Sequence, residues 1–482
     1  QHVPLFAGGV IYDQQGKMGD GNFAVIKALN EAGRLLSKGS VRHEYPHSWR
    51  SKAPVIFRTT PQWFIAMDGE GKIREKALAA IKETTWLPKA GENRITAMIE
   101  QRPDWCISRQ RAWGVPIAIF LSKADGEPLR DEAVCKRIYD AFAERGADAW
   151  YTDDPQSFLG TDYKAEDYDQ VFDIVDVWFE SGSTHAFVLE DREELRSPAD
   201  LYLEGSDQHR GWFHSSLLES VGTRGCAPYK TVLTHGFVLD EKGYKMSKSL
   251  GNIVAPEDII KQYGADILRL WALTSDYAED VRIGNDAIKS TTDIYRRIRN
   301  TFRFLLGALE GFEDDERVDL SDASQLPELE QWALHRLYEM DQEIRTHIRD
   351  YDFGKLAHKL HNFCSSELSA LYFDVRKDRL YCDRPDQFER RACRTVLAEI
   401  FECLTSWLAP MLCFTCEDVW AHRPAGMFKG EDSVHLRNFK ALPSAWKNDA
   451  LAEKWTKLRA IRRVVLGALE PKRADKTIGS SL

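Results

Sequence analysis

Two patterns of hydrophobic positions divide the chain. Between residues 55 and 282, short apolar runs alternate with helix-like segments, and this alternation predicts parallel strands joined by crossover helices. The apolar runs are Val55–Phe57, Pro116–Leu121 and Leu201–Leu203. An α/β fold is therefore expected here, and the polar, acid-rich residues 122–170 are expected to form an insertion in it.

Beyond residue 282 the strand pattern stops and helical periodicity takes over. Apolar residues recur at spacings of three, four and seven, as in a helix that packs into a bundle. The three predicted faces are Leu334, Leu337, Tyr338, Ile344 and Ile348, then Leu356, Leu360, Phe363 and Leu371, then Val396, Ile400, Leu404 and Trp407. The expected fold class is thus α/β followed by all-α. A further helical run is predicted near the start, from Asn22 to Leu36.

Composition narrows the class of protein. The chain has 482 residues, of which 43% are hydrophobic and 29% charged, which is typical of a globular protein of about two or three domains. No run approaches the roughly eighteen apolar residues of a membrane helix. The net charge of −10 weakly disfavours non-specific nucleic-acid binding but leaves room for a local basic face. Nine cysteines without a secreted framework favour a cytoplasmic location. Both termini are expected to be cuts within a longer protein.

A lysine-rich turn carries the most specific chemistry. Leu239–Asn252 reads LDEKGYKMSKSLGN, which places Lys245 and Lys248 on a glycine-flanked loop together with two serines. A lysine is a compact charge with three donors on a flexible stem, so such a loop can reach several oxygens of one triphosphate. By composition alone, an ordinary solvated turn explains the same residues.

A second segment, Leu201–Ser220, runs from an apolar strand into a helix with the sequence LYLEGSDQHRGWFHSSLLES. The carboxyl end of a strand at the start of a helix is where open α/β sheets bind ligands. Gly205 allows a ligand to approach the backbone, while Glu204 and Asp207 offer acceptors to amino and hydroxyl groups. The competing interpretation is a capped helix start with Asp207 as the cap.

These segments resemble a known family. KMSKS at Lys245–Ser249 and the Gly-x-Asp-Gln core at Gly205–Gln208 are similar to the signatures of class I aminoacyl-tRNA synthetases. Three more phrases resemble isoleucyl-tRNA synthetases in particular: TPQWFIAMD (Thr60–Asp68), DWCISRQRAWGVPI (Asp104–Ile117) and VDVWFESGSTH (Val175–His185). The valine enzymes share a looser form of the second phrase, so they are the first alternative.

The resemblance implies roles for individual residues. Lys248 would contact the phosphates of ATP, and Lys245 would assist it. The residues implied at the ATP or adenylate site are Glu204, Gly205, Asp207, Gln208, His235 and Val238, and the walls of the amino-acid pocket would be Trp178 and Trp212. Without the flanking motifs, a lone tryptophan or histidine is more often a core residue.

The implied reaction is that of an isoleucine–tRNA ligase. Isoleucine and ATP would form isoleucyl-adenylate and pyrophosphate, and isoleucine would then be transferred to the 3′-terminal ribose of tRNA(Ile). Mg²⁺ is implied, with no assignable ligand, and a monomer is expected. Relatives often carry a cysteine pair where this chain has Ser48 and Ser51, so no zinc is expected in this portion. Cys413 and Cys416 lie on an apolar helix, where core packing is favoured over metal binding.

The same resemblance divides the chain into domains. Residues 1–52 would be a remnant of the editing insertion, residues 53–285 the second half of a class I Rossmann-type catalytic domain, and residues 286–482 a helix-bundle anticodon-binding domain. The HIGH-type motif of the first catalytic half is absent from the 482 residues. The chain alone is therefore expected to activate amino acids hardly at all, and a non-catalytic tRNA-binding fragment is the second alternative.

Basic residues on the predicted helix Tyr295–Arg303 are the candidates for RNA contact. They are Arg296, Arg297, Arg299 and Arg303. Arginines clustered on a helix can track an RNA backbone, although a solvated helix face has the same composition.

Overall fold

The computed structural model describes residues 20–41, 44–48, 55, 59–248 and 250–479. The chain forms two compact units. The first contains residues 1–73 and 102–180, and the second contains residues 74–101 and 181–482.

Helices dominate the described residues. They are α1 (Asp20–Glu31), α2 (Ile73–Glu83), α3 (Ala90–Glu100), α4 (Glu132–Arg145), α5 (Ala149–Thr152), α6 (Pro155–Leu159), α7 (Val177–Gly182), α8 (Trp212–Thr223), α9 (Pro256–Tyr263), α10 (Ala265–Thr274), α11 (Asn285–Ala308), α12 (Glu328–Arg349), α13 (Phe353–Asn362), α14 (Phe373–Tyr381), α15 (Phe388–Leu408), α16 (Cys413–Ala421) and α17 (Asp449–Ala474). Two further segments, His185–Glu190 and Phe363–Tyr372, are π-helical. Within the described ranges, no helix is both long and apolar enough to span a membrane.

The strands are short. They are β1 (Phe64–Ile65), β2 (Thr85–Leu87), β3 (Trp105–Cys106), β4 (Ser108–Arg109), β5 (Phe120–Ser122), β6 (Tyr168–Gln170), β7 (Ile174–Val175), β8 (Ala199–Gly205), β9 (Tyr229–His235), β10 (Val238–Leu239) and β11 (Val281–Arg282). The longest of them, β8 and β9, lie side by side.

The first unit differs from the parallel arrangement predicted for it. Its strand pairs β1–β3, β4–β7 and β5–β6 are all antiparallel. Of the predicted run Pro116–Leu121, only Phe120 and Leu121 belong to a strand. Each pair contains only two or three residues, and a long segment separates its two strands in the sequence, so none of the three is a tight hairpin. Of the predicted run Val55–Phe57, only Val55 lies within the described residues.

Residues 122–170 build a small core of their own. β5 and β6 pair at the base, with Phe120 opposite Gln170. Trp150 is fully buried at the centre of this core, and its indole N–H donates to the carbonyl oxygen of Val171 at 2.7 Å. The other buried members are Phe120, Val134, Ile138, Ala141, Ala149, Phe158 and Leu159. The acidic composition of the segment is therefore a surface property, since its apolar minority forms a continuous core.

The second unit contains the parallel sheet that the sequence predicts. Its strand order is β2-β9-β8, and both neighbouring pairs are parallel. The predicted run Leu201–Leu203 lies inside β8. Beside this sheet, β10 pairs with β11 in parallel, with Val238 opposite Val281.

All described elements after Arg282 are helical, as predicted. The core positions of the first predicted face, including Leu334, Leu337 and Ile344, are buried in α12, although Ile348 at its end is 36% exposed. The second face spans α13 and the π-helical segment that follows it, and the third lies on α15. All residues of these two faces are buried in one large hydrophobic cluster. The fold class, α/β followed by all-α, is confirmed.

Helix α1 is shorter than predicted. It ends at Glu31 rather than Leu36 because Gly33 adopts a left-handed conformation with φ of +65°. The backbone N–H of Arg34 donates to the carbonyl of Leu29 at 2.9 Å, which is the closing bond of a Schellman motif. The glycine stops the helix before the two leucines that made the run look longer.

Candidate active site

The carboxyl ends of β8 and β9 bring two distant segments together. Glu204 pairs with Thr234, and Gly205 pairs with His235. The ring nitrogen Nδ1 of His235 lies 2.7 Å from the carbonyl oxygen of Gly236. Val238 follows at the start of β10 and is 39% exposed. The structure therefore places Glu204, Gly205 and His235 at one sheet edge, as parallel pairing requires.

A tight 3₁₀ turn after Gly205 presents the next two candidates. A Cβ atom at position 205 would lie 2.7 Å from Oδ1 of Asp207, so only glycine lets the carboxylate fold back this closely. Nε2 of Gln208 donates to Oδ2 of Asp207 at 3.0 Å. Oε1 of Gln208 accepts from the backbone N–H of Trp212 at 3.1 Å, at the first turn of α8. The side chain that bonds this helix start is therefore Gln208, and the interpretation of Asp207 as its cap is wrong.

Trp212 is held in a fixed orientation. Its ring stacks on Tyr202 of β8 with a centroid distance of 4.1 Å and an interplanar angle of 4°. Its indole N–H donates to the carbonyl oxygen of Ser181 at 2.9 Å. Tyr202 is buried, and its hydroxyl lies 3.4 Å from that of Ser216. Tyr202 of β8 and the carbonyl of Ser181 thus hold the half-buried ring of Trp212, at the start of α8, in one orientation. Trp178, the other predicted wall, belongs to the first unit, where it is 43% exposed.

A buried carboxyl group lies behind this aromatic pair. Oε1 of Glu219 on α8 is buried and has no hydrogen-bond partner among the described residues. A Cβ atom at Gly182 would lie only 2.3 Å from this oxygen and 3.0 Å from Oγ of Ser215. Burial raises the pKa of Glu219 to about 8. Glycine at position 182 is required by this close approach, and the carboxyl is neutral through most of the physiological range.

The lysine loop is closed by an aspartate and an asparagine. Oδ1 of Asp240 accepts from the backbone N–H groups of Lys242 at 3.0 Å and Tyr244 at 2.8 Å. Nδ2 of Asn252 donates to Oδ2 of Asp240 at 2.8 Å, while Oδ1 of Asn252 accepts from the backbone N–H of Ser247 at 3.0 Å. These bonds lower the pKa of Asp240, the one from Asn252 most of all. We call this contact the Asp240–Asn252 clasp.

Both lysines of KMSKS, Lys245 and Lys248, are exposed. The backbone of Lys245 forms an isolated antiparallel β-bridge with that of Leu239. The ammonium of Lys245 lies 5.5 Å from the ring centroid of Phe237. The ammonium of Lys248 makes no hydrogen bond or ion pair with the described part of the chain. Lys248 therefore has its charge available for an incoming anion. Ser249, the last residue of KMSKS, lies outside the described residues.

The four candidate arginines lie on α11 but differ in their surroundings. Arg296 forms an ion pair with Asp293, with 3.0 Å between Nη1 and Oδ1. Arg297 is one of the charges that lower the pKa of His361, after burial of that ring. Arg299 and Arg303 line a groove that faces α16. By their spacings of three and four, Arg296, Arg299 and Arg303 share one face of α11, and Arg297 lies on another.

No cluster suited to a metal ion is found among the residues that the structure describes. All nine cysteines are free. Cys416 packs in the core, and burial raises the pKa of its thiol. Cys413, half-buried, has its sulfur 3.8 Å from the carbonyl oxygen of Pro410.

Comparison with known families assigns this sheet edge and loop to a class of enzyme. Residues 11–284 match the family of class I tRNA synthetases for isoleucine, leucine, methionine and valine. Residues 330–482 match the anticodon-binding domain of tRNA ligases. The chain belongs to the class I tRNA synthetases of this group.

The curated relatives narrow the similarity further. The chain is 58% identical over 448 residues to the isoleucine–tRNA ligase of Gluconobacter oxydans, covering 93% of this chain and 46% of that protein. It is 56% identical over 477 residues to the isoleucine–tRNA ligase of Mesorhizobium japonicum, covering 98% of this chain and 47% of that protein. The chain spans about half the length of the curated relatives that it matches.

Solved structures support the fold. The methionyl-tRNA synthetase of Mycobacterium tuberculosis bound by methionyl-adenylate superposes with a TM-score of 0.54 at 18% identity, covering 78% of this chain and 65% of that chain. A ternary LeuRS–tRNA–LeuAMS complex from Agrobacterium radiobacter K84 gives a TM-score of 0.50 at 16% identity, covering 73% of this chain and 45% of that chain.

The raised pKa of Glu219 predicts a pH-dependent stability. An unfolded glutamate ionises near pH 4.3, whereas the folded one holds its proton up to about pH 8. The contribution of Glu219 is therefore most favourable below about pH 4.3 and is lost as the pH rises to about 8. Glu219→Gln cannot ionise, so we expect its stability relative to the parent chain to increase across this interval, by at most about 1.4 kcal/mol per pH unit.

Denaturant unfolding of the two chains at a series of pH values measures this difference. The matched control is Glu193→Gln at an exposed position, which should follow the parent chain throughout. A constant difference between Glu219→Gln and the parent chain from pH 5 to pH 8.5 would show that the carboxyl is already ionised.

The Asp240–Asn252 clasp predicts the exposure of the loop to protease. Asn252→Ala removes the bonds to Asp240 and to the Ser247 amide, so the loop should open more often. We expect trypsin to cleave after Lys245 and Lys248 at least about fivefold faster, because each lost hydrogen bond contributes about 1 kcal/mol. Gln262→Ala is the control, since Gln262 lines the cavity at the base of the loop without joining the clasp. Equal cleavage rates for Asn252→Ala and the parent chain would refute the role of the clasp.

Proposed function

We propose that this chain supplies part of the ATP site, one wall of the amino-acid pocket and the tRNA-binding helices of an isoleucine–tRNA ligase. The reaction joins isoleucine and ATP into isoleucyl-adenylate with release of pyrophosphate. Isoleucine then passes to the 3′-terminal ribose of tRNA(Ile). A cytoplasmic location and a monomeric state are part of the proposal.

The observation that carries the proposal is the meeting of two motifs at one sheet edge. The pairing of Gly205 with His235 puts the Asp207 turn beside the strand that leads through Val238 into the lysine loop. One ligand-binding group and one phosphate-binding group therefore come from adjacent parallel strands. This is the position in which open α/β sheets bind nucleotides.

The lysine loop would act on the triphosphate. Lys248 is exposed and carries an uncompensated charge, so it would contact the phosphate oxygens on which negative charge develops. Lys245 would assist after leaving the ring of Phe237. The reaction needs no covalent intermediate with the protein, since positioning and electrostatic stabilisation suffice for phosphoryl chemistry of this kind.

The turn after β8 would hold the adenylate. Glu204 and Asp207 are exposed carboxylates able to accept hydrogen bonds from the amino group and the ribose hydroxyls. Gln208 would act mainly by keeping Asp207 and the start of α8 in register. Trp212 would provide one apolar wall for the isoleucine side chain.

Magnesium fits the described residues only as a companion of ATP. Mg²⁺ is usually bound by one or two carboxylates together with substrate phosphates and waters. No group of three candidate ligands is present in the described part of the chain. The ion would therefore arrive on the phosphates, and no step of the proposal depends on a protein ligand for it.

Two alternatives remain open to experiment. The names of the relatives, at 54% to 58% identity, favour isoleucine over valine as the amino acid. A tRNA-binding fragment without catalysis is the other alternative, because the HIGH-type motif is absent from the 482 residues.

The deciding assay is ATP–pyrophosphate exchange. We expect no isoleucine-dependent exchange from this chain alone, and we expect exchange after addition of the amino-terminal part of an isoleucine–tRNA ligase relative. Exchange that depends on valine more than on isoleucine in the complemented protein would favour the valine enzyme. Robust exchange from the chain alone would contradict the proposed division of the ATP site.

The role of Lys248 is tested in the same complemented protein. Lys248→Ala should lower the exchange rate about 100- to 1,000-fold, the usual effect of removing one group that stabilises transition-state charge. Lys242→Ala is the matched control, because Lys242 is an exposed lysine of the same loop outside KMSKS. Equal exchange rates for Lys248→Ala and Lys242→Ala would rule out the assigned role.

A further inference from the structure

A groove between α11 and α16 lies outside the sheet edge described above. It has a volume of about 480 Å³, and its lining includes Tyr295, Arg299, Arg303, Phe414, Thr415 and His422. We call it the α11–α16 groove. One wall, α11, falls between the two family matches, which end at residue 284 and begin again at residue 330. The function of this wall is therefore not assigned by either match.

Two unpaired cations form one wall of the groove. Arg299 and Arg303 are four residues apart and thus project from the same face of α11. Both are exposed, and neither guanidinium has a hydrogen-bond or ion-pair partner in the described part of the chain. Arg296 on the same helix is instead paired with Asp293. Two free guanidinium groups one turn apart are suited to adjacent phosphates, which they can bind in bidentate fashion.

An exposed aromatic ring forms the opposite wall. Phe414 stands at the first turn of α16 with 68% of its surface exposed. A ring this exposed offers a flat apolar face on which a ligand ring can stack. The carboxylate of Asp418 also lines the groove, with its Oδ1 3.5 Å from Nδ1 of His422.

The backbone under Phe414 is rigidly anchored. Buried Asp266 of α10 accepts from the backbone N–H of Thr415 at 2.7 Å and from its hydroxyl at 2.6 Å. The hydroxyl of Tyr295 lies 3.0 Å from the same Thr415 hydroxyl, so it ties α11 to α16 across the groove. The aromatic ring and the two arginines are therefore presented from a preformed frame, which lowers the entropic cost of binding.

We propose that the α11–α16 groove binds an unpaired nucleotide of tRNA, with its base on Phe414 and its flanking phosphates on Arg299 and Arg303. This inference rests on tRNA being the partner in the proposed function. A flat aromatic beside cations suits a splayed-out base with its backbone, because single-stranded RNA is recognised by stacking and by phosphate contacts. A paired region would satisfy the arginines but would leave the ring uncovered.

The test compares tRNA affinity across salt concentrations. The binding of this chain to a tRNA(Ile) transcript is measured by filter retention from low to moderate salt. Arg299→Ala/Arg303→Ala should weaken binding and reduce the slope of log K against log salt by about 1.4, for two single-strand phosphate contacts. Phe414→Ala should weaken binding about tenfold at every salt concentration and leave the slope unchanged, whereas Phe414→Trp should retain the affinity.

The matched control is Arg379→Ala/Arg384→Ala. It also removes two arginines, exposed Arg384 and half-buried Arg379, each paired with a neighbouring aspartate, and should keep both affinity and slope. Parent-like binding by the groove variants would overturn the groove assignment while leaving tRNA as the partner. Loss caused equally by the control would likewise overturn it, since any removed charge would then suffice. A parent chain that binds no tRNA would remove the proposed partner and the groove assignment together.

Discussion

Six paired positions hold β8 and β9 parallel, from Ala199 opposite Tyr229 to Gly205 opposite His235. The side chains of a strand alternate between its two faces, so a slip of one residue would move Tyr202 to the opposite face of the sheet and remove the support of Trp212. The same slip would separate Glu204 and the Asp207 turn from the strand that leads into the lysine loop. The geometry of the candidate site thus depends first on backbone register, and the side chains contribute chemistry to positions already set.

Around that register, short polar contacts determine the direction of each functional group. Gln208 joins Asp207 to the first turn of α8, and the Asp240–Asn252 clasp closes the lysine loop. Trp212 is oriented by a stack on one side and a hydrogen bond on the other. These contacts make the frame rigid. Because Lys248 takes part in none of them, its ammonium group at the edge of the frame remains free to follow a ligand.

Much of the fold could be predicted from hydrophobic periodicity and local motifs. The helices beyond Arg282 follow from their apolar spacing, and β8 follows from one apolar run beside a helix. The length of α1 could not be judged from its leucines, since the stop depends on the left-handed conformation of Gly33. The short antiparallel pairs of the first unit were equally hidden, because strands of two residues leave no alternation to detect.

In the candidate site, the sequence predicts the motif residues but not the contacts between them. Its motif residues could be named from the phrases that contain them. The competing interpretation of this segment made Asp207 the helix cap, whereas Gln208 makes the bond at the helix start. Asn252 belongs to the LGN triplet that follows KMSKS, but its side-chain bonds join residues that only the folded loop brings together. Glu219 gave no signal at all, because its significance comes from Gly182, which lies far away in the sequence.

The closed base of residues 122–170 has an evolutionary consequence. The two ends of this segment are neighbouring antiparallel strands, about 5 Å apart, and its core is built from its own residues together with Phe120 of β5. Lineages could therefore lengthen, shorten or replace the segment without altering the rest of the unit, as long as the β5–β6 pair survives. Variation among relatives should accumulate there as changes in length, while the sheet edge that carries Gly205 and His235 tolerates almost none.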